Sequence, residues 1–187
     1  MELRINNEAP NFTAETTQGK IDFHEWLGDQ WGLLFSHPKD FTPVCTTELG
    51  YMAGLEKEFA SRNCKVIGLS VDAVENHALW AKDIEETQGH AVKFPMIGDP
   101  TGAMARNFEV MIEEEGLALR GTFIINPEGL IKTIEVNDLG IGRSAADLVR
   151  KVQAAQYIEA NPDEVCPASW KPGAETLKPA IDLVGKI

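Results

Sequence analysis

Short apolar runs alternate with segments of helical periodicity along most of this 187-residue chain. Residues 31–36 and 65–71 are continuous apolar runs typical of buried strands. Between them, apolar residues recur at helical spacing, at Leu49, Met52, Leu55 and Phe59. Beyond residue 71, the pattern predicts helices over 72–87 and 144–160 and a short helix from residue 100. It predicts strands over 94–97, 119–125 and 130–136. This order predicts an α/β fold with a mixed central sheet flanked by helices on both faces.

Proline is concentrated near the end of the sequence, at Pro162, Pro167, Pro172 and Pro179. Proline at this density prevents a long helix or a central strand. We therefore predict a compact domain over residues 1–160 and an extended C-terminal arm over residues 161–187 that melts locally with ease.

The chain is acidic, with a net charge of −12. Nucleic acids and anionic membranes are bound through clustered cations, so this balance argues against both as partners. No stretch approaches the ~20 apolar residues of a membrane span, and the N-terminal segment lacks the apolar core of a signal peptide. We expect a cytoplasmic protein.

The cysteines Cys45, Cys64 and Cys166 are too few and too scattered for a secreted disulfide framework, and none forms a Cys-x-x-Cys pair. The histidines show no ligand spacing, so we expect no metal site. A dinucleotide-binding pattern over residues 140–145 lacks the parallel strand that should follow it, so we expect no bound cofactor. Isolated cysteines of a reducing compartment are mostly buried and inert, which is our prediction for Cys64.

Cys45 has a different context, because it lies at the start of a helix predicted to begin near Thr46. Unpaired main-chain N–H groups and the helix macrodipole favour an anion there, and the thiolate is the form that attacks a peroxide oxygen. The helix contributes only about 0.3–1 kcal/mol for an exposed charge. We therefore expect a second positive group beside Cys45, most simply an arginine brought in by the fold.

Pro38, Thr42 and Cys45 form the pattern Pro-x-x-x-Thr-x-x-Cys. Pro38 would shield and shape a pocket, and the Thr42 hydroxyl would hydrogen-bond a peroxide beside the sulfur. The surrounding residues 35–49, FSHPKDFTPVCTTEL, resemble the active-site motif of the peroxiredoxin (AhpC/TSA) family. The resemblance implies a thioredoxin-like fold and a Cys45 that hydrogen peroxide and organic hydroperoxides oxidise to sulfenic acid, an activity of antioxidant defence.

Three further residues match family positions around the reactive thiolate. Arg120 resembles the arginine that flanks it, whereas an exposed strand charge is the alternative. Glu48, in the turn after Cys45, and Arg143 resemble two supporting residues, and a purely structural ion pair is the alternative for these two.

Cys166 lies in the segment EVCPASW over residues 164–170, which resembles the resolving site of two-cysteine peroxiredoxins of the bacterial alkyl hydroperoxide reductase type. The resemblance implies that Cys166 of one subunit attacks the sulfenic acid on Cys45 of the other. It also implies a homodimer, often a ring of dimers such as a decamer, and a disulfide reductase partner such as thioredoxin or an AhpF-like flavoprotein.

The N-terminal half instead resembles the one-cysteine peroxiredoxins, and His37 stands where two-cysteine members usually have an aromatic residue. A one-cysteine peroxidase that uses an external thiol therefore stays open as an alternative, although the complete motif around Cys166 favours the two-cysteine cycle. His37 either tunes the peroxide pocket or lines it structurally. A different class of function, an oligomeric holdase or redox relay, has no motif of its own.

Overall fold

The structure is a computed structural model that describes residues 3–183; residues 184–187 of the predicted arm lie outside this range. The strands of the described range are β1 Thr13–Thr16, β2 Gly19–Asp22, β3 Trp31–Ser36, β4 Cys64–Ser70, β5 Met96–Gly98, β6 Met111–Ile112, β7 Leu117–Ala118, β8 Arg120–Ile125 and β9 Ile131–Asn137. Its α-helices are α1 Phe23–Leu27, α2 Pro43–Gly54, α3 Glu56–Ala60, α4 Val74–Gln88, α5 Ala103–Asn107 and α6 Ala145–Ala160.

Seven strands form one mixed sheet in the order β2-β1-β5-β4-β3-β8-β9, which confirms the predicted sheet. Strands β3, β4 and β5 are parallel, whereas β1, β8 and β9 join antiparallel to their neighbours. Strand β3 lies between β4 and β8, and all its residues are buried. Burial on both faces explains the uninterrupted apolar run of this strand.

One face of the sheet packs against an aromatic cluster. The ring centroid of Phe12 lies 5.0 Å from that of Phe23, and the centroid of Phe108 lies 5.0 Å from that of Phe123. Phe23 belongs to α1, Phe108 follows α5 directly, and Phe123 is in β8. These rings join helices and sheet in one apolar core.

Helix α2 differs from the prediction at both ends. It begins at Pro43 rather than near Thr46, because proline is favourable at the first helical position, where its missing N–H would have no partner. It ends at Gly54, and α3 starts at Glu56 after a break at Leu55. The apolar spacing that predicted one helix therefore belongs to two.

The hairpin of β1 and β2 was not predicted from the sequence. Each strand has only four residues, and only two of the eight positions are fully buried. The turn between them places Gly19 at a φ of 98°, and the Thr16 hydroxyl donates to its carbonyl at 2.7 Å. Short strands with little apolar alternation carry too weak a pattern to be recognised.

The chain divides between residues 145 and 146 into two compact units. In the second unit, residues 161–183 contain one isolated bridge, between Val165 and Leu177, and a short 3₁₀ helix at the end. The Tyr157 ring of α6 packs against Trp170 of the arm, with centroids 5.1 Å apart. The predicted boundary between residues 160 and 161 stays a prediction. No helix among the described residues is long and apolar enough to cross a bilayer.

Replacing Phe108 by Ala should lower the free energy of unfolding by about 3–5 kcal/mol, because a ring with 1% exposure leaves a cavity. The control Leu79→Ala changes a side chain of 59% exposure and should stay within about 0.5 kcal/mol of the wild type. Urea unfolding of both variants measures the difference. Equal losses would show that the aromatic cluster is not the core.

Candidate active site

The loop between β3 and α2 carries the predicted motif. Pro38 is buried in this loop. Thr42 is the N-cap of α2, with φ −108° and ψ 147°, and its hydroxyl donates to the main-chain oxygen of Lys39 at 2.8 Å instead of capping the helix. The lone pairs of the Thr42 hydroxyl thus remain able to accept a hydrogen bond.

Cys45 is the third residue of α2 and lies inside its first turn, rather than before the helix as predicted. The N–H groups of a first turn have no partner within the helix, so the positive end of the macrodipole is next to the sulfur. The Cys45 residue has no exposed surface. A peroxide reaches the sulfur only if covering residues move.

Arg120 is the first residue of β8, and its Nη1 donates to the Cys45 Sγ at 3.2 Å. The Nε of the same guanidinium donates to the main-chain oxygen of Leu139 at 2.9 Å, which fixes its orientation. Arg120 has only 3% of its surface exposed. A buried guanidinium thus donates a charge-assisted hydrogen bond directly to the sulfur.

Glu48 joins Arg120 and Arg143. Its Oε2 accepts from Nη1 of Arg120 at 2.5 Å, and its Oε1 accepts from Nε and the main-chain N of Arg143 at 2.8 and 2.7 Å. The Arg143 guanidinium lies over the Phe35 ring, 5.3 Å from its centroid. Two guanidinium groups and one carboxylate have a net formal charge of +1, so a thiolate on Cys45 brings this buried cluster to zero.

Burial raises the pKa of Glu48, but the hydrogen bonds and charge of Arg143, together with the charge of Arg120, outweigh burial and hold this pKa below its ordinary value. Glu48 is therefore ionised between the two arginines. The structure thus brings Cys45, Glu48, Arg120 and Arg143 together, with Thr42 at the same helix end.

The other two cysteines have different surroundings. Cys64 begins β4, and burial raises its pKa to about 12, which makes it an inert thiol as predicted. Cys166 is half-buried in the second unit, where burial and the charge of Glu164 raise its pKa against the opposing charge of Arg150. All three thiols are free.

His37, Asp40 and His77 form a buried hydrogen-bonded network that was not predicted. Asp40 Oδ1 lies 2.7 Å from Nε2 of His37, and Oδ2 lies 2.6 Å from Nδ1 of His77. One potential ligand atom from each residue lies within 4.8 Å of the others, but both carboxylate oxygens of Asp40 already bond to a histidine ring, so we interpret the three as a hydrogen-bond network. Only the positions of His77 and Trp80 on one face of the predicted helix hinted at it.

Comparison with known proteins gives a consistent result. The AhpC/TSA family matches residues 5–134. The alkyl hydroperoxide reductase C of Salmonella typhimurium is 46% identical over 182 residues, covering 97% of this chain and 91% of that protein.

Two solved structures resemble this fold across most of its length. A yeast mitochondrial 1-Cys peroxiredoxin has a TM-score of 0.90 at 42% identity, covering 95% of this chain and 87% of that one. The reduced 2-Cys peroxiredoxin of Plasmodium vivax has a TM-score of 0.88 at 29% identity, covering 97% and 96%.

Glu48→Gln should destabilise the protein by about 3–5 kcal/mol at neutral pH, because it removes the carboxylate that bonds to both buried guanidinium groups. The pKa of Glu48 is lowered in the folded state, so its contribution is present above the ordinary value of 4.5 and is lost as the pH falls through the lowered folded pKa. Urea unfolding at a series of pH values should show the gap between wild type and variant shrinking below about pH 4.5. A gap independent of pH would contradict an ionised Glu48.

Proposed function

The chain belongs to the AhpC/TSA family, and we propose that it reduces hydroperoxides through the thiolate of Cys45. The family match and the 46% identity to an alkyl hydroperoxide reductase C confirm the predicted resemblance, and the likeness to solved peroxiredoxins confirms the thioredoxin-like fold. The enzyme is a thiol-dependent peroxidase. The observation that carries the role of Cys45 is the 3.2 Å hydrogen bond from Arg120 to its sulfur.

In the first step, the Cys45 thiolate attacks the terminal oxygen of a hydroperoxide. The S–O bond forms as the O–O bond breaks, sulfur is oxidised to sulfenic acid, and the departing oxygen takes a proton to become an alcohol or water. Negative charge moves from sulfur to that oxygen. Arg120 already donates to the sulfur and can follow this charge, and the Thr42 hydroxyl can accept the peroxide O–H. Pro38 closes the pocket.

In the second step, the Cys166 thiolate of the partner subunit attacks the sulfenic sulfur. The S–S bond of an intersubunit disulfide forms as the S–O bond breaks, and the departing hydroxide takes a proton from solvent and leaves as water. A disulfide requires Cα atoms roughly 4.4–6.8 Å apart. Because Cys45 is buried inside the first turn of α2, that turn must unwind to meet a partner. The arm around Cys166 has only the Val165–Leu177 bridge as regular main-chain pairing among its described residues, which suits it to move.

The cycle needs a homodimer and an external reductant, and we propose both. Strand β9 is the edge strand of the sheet, and β8 is the strand it pairs with in the described range. Its first residue, Ile131, also bonds to the main chain of Asn6 and Asn7, whereas Val136 near its other end is 44% exposed, which suits that end to pairing with a second subunit. Phe41, 55% exposed, adds apolar surface suited to a ring of dimers such as a decamer. A thioredoxin or an AhpF-like flavoprotein would reduce the disulfide. The free cysteines support a cytoplasmic location.

A one-cysteine cycle is the second candidate. It is favoured by the likeness to the yeast 1-Cys peroxiredoxin and by a buried His37 in the loop before Cys45. In this cycle an external thiol, instead of Cys166, reduces the sulfenic acid.

Single-cysteine variants separate these steps. Cys45→Ser should abolish peroxide consumption. Cys166→Ser should keep one stoichiometric oxidation of Cys45 but lose turnover with thioredoxin, together with the covalent dimer on non-reducing gels. Cys64→Ser is the matched control and should keep both, because that thiol is inert.

Two results would contradict these expectations. Peroxide turnover by Cys45→Ser would overturn the role of Cys45. Full thioredoxin-dependent turnover by Cys166→Ser would overturn the two-cysteine cycle and support the one-cysteine cycle.

A further inference from the structure

The network of His37, Asp40 and His77 lies beside the proposed site but outside the steps above. All three side chains are buried. Asp40 belongs to the loop that leads from β3 to Thr42, and His77 belongs to the first half of α4. The network therefore ties the loop before Cys45 to a helix that is distant in sequence.

The position of each proton follows from counting donors and acceptors. Nε2 of His77 lies 3.0 Å from the main-chain oxygen of Ile97, which only accepts, so this nitrogen carries a hydrogen. Nδ1 of His37 is buried without a hydrogen-bond partner in the described part of the chain, so a hydrogen there would be an unsatisfied donor. His37 is therefore neutral with its hydrogen on Nε2, which donates to Asp40 at 2.7 Å.

The remaining contact joins Asp40 Oδ2 and His77 Nδ1 at 2.6 Å. A carboxylate oxygen and a bare ring nitrogen would repel each other at this distance, so one proton must lie between them. Whether that proton is on oxygen or nitrogen, the three side chains together have zero net charge. Neutrality is what a fully buried group of this kind requires.

The directions of the pKa shifts of His37 and Asp40 agree with this assignment of protons. Burial lowers the pKa of His37, which keeps that ring neutral. Burial raises the pKa of Asp40, but the hydrogen bonds and charges of His37 and His77 outweigh burial and lower this pKa, which favours the carboxylate. The other charged groups facing the network are Asp72, whose Oδ2 accepts from the main-chain N of Asp40 at 2.9 Å, and Arg143, whose charge acts on His37.

We propose that His77 is a positioning residue for peroxide reduction, which it supports by sharing one buried proton with Asp40 and so holding the loop from Pro38 to Thr42 in place. Asp40 is held at its main-chain N and at both carboxylate oxygens. Trp80, one turn after His77, packs its ring 5.0 Å from that of His37 and donates to the Thr46 hydroxyl in the first turn of α2. With the native carboxylate, loss of the shared proton would leave two acceptors 2.6 Å apart, which removes the attachment to His77 and lets the loop shift.

This inference rests on the proposed peroxidase function for its kinetic consequence, but its physical core has a test that needs no activity. Protein labelled with ¹⁵N in its histidine rings should show, by NMR, one strongly deshielded, exchange-protected proton on the Asp40–His77 contact. The signal should remain in Cys45→Ser and in the surface control His90→Gln. It should disappear in Asp40→Asn. Absence of this proton from the folded wild type would overturn the inference.

The kinetic arm compares two variants in a single turnover with peroxide. His77→Gln leaves Asp40 with an uncompensated charge, and we expect the second-order rate constant to fall by about tenfold to a hundredfold. In Asp40→Asn, the amide can donate to Nδ1 of a neutral His77 and accept from Nε2 of His37, so every bond forms without the shared proton. We expect a smaller loss than in His77→Gln, and a different pH profile above neutrality.

Three outcomes are decisive. A folded His77→Gln with the wild-type rate constant would overturn the positioning role, and so would an Asp40→Asn variant that loses as much as His77→Gln. If the shared proton is present but the wild type consumes no peroxide, the proposed function fails while the proton count stands.

Discussion

The contact between the Arg120 guanidinium and the Cys45 sulfur is the interaction on which the rest of the site depends. It joins the first residue of β8 to the first turn of α2, across 75 positions of sequence. Both groups are buried, and a buried charge without a partner destabilises the folded protein because the dielectric constant of the interior is low. Two guanidinium groups against one carboxylate leave one positive formal charge beside the sulfur. The atom proposed to attack the peroxide therefore lies where negative charge is stabilised as it moves from sulfur to oxygen.

The loop between β3 and α2 lies between two buried polar networks. On one side, Glu48, Arg120 and Arg143 surround the sulfur. On the other, His37, Asp40 and His77 connect the loop to α4. In the proposed account, the second network reaches zero net charge through a shared proton, and the first would reach it with a thiolate on Cys45. Charge balance in the protein interior thus links the proposed positioning of the loop to the proposed chemistry of Cys45.

Much of this arrangement was predictable from the sequence. The continuous apolar run of β3 and the hairpin of β8 and β9 are strong local patterns, and the motif from Pro38 to Cys45 marks the reactive residue. The contact between Arg120 and Cys45 depends on the order of the strands in the sheet, which the sequence pattern does not specify. Only the family resemblance suggested this contact. The position of His77 on the same face as Trp80 was a weak signal for a buried histidine, but nothing in the sequence paired it with Asp40, because that contact depends on how α4 packs beside the loop. The start of α2 was misplaced because proline at the first helical position was not recognised as helical.

The most direct test of the account is the reactivity of Cys45 itself. In a Cys64→Ser, Cys166→Ser background, a single turnover with hydrogen peroxide reports Cys45 alone. We expect the second-order rate constant to fall by about a hundredfold or more after Arg120→Met, which removes the guanidinium that contacts the sulfur. An unchanged rate constant in a folded Arg120→Met variant would contradict the central claim that Arg120 activates Cys45.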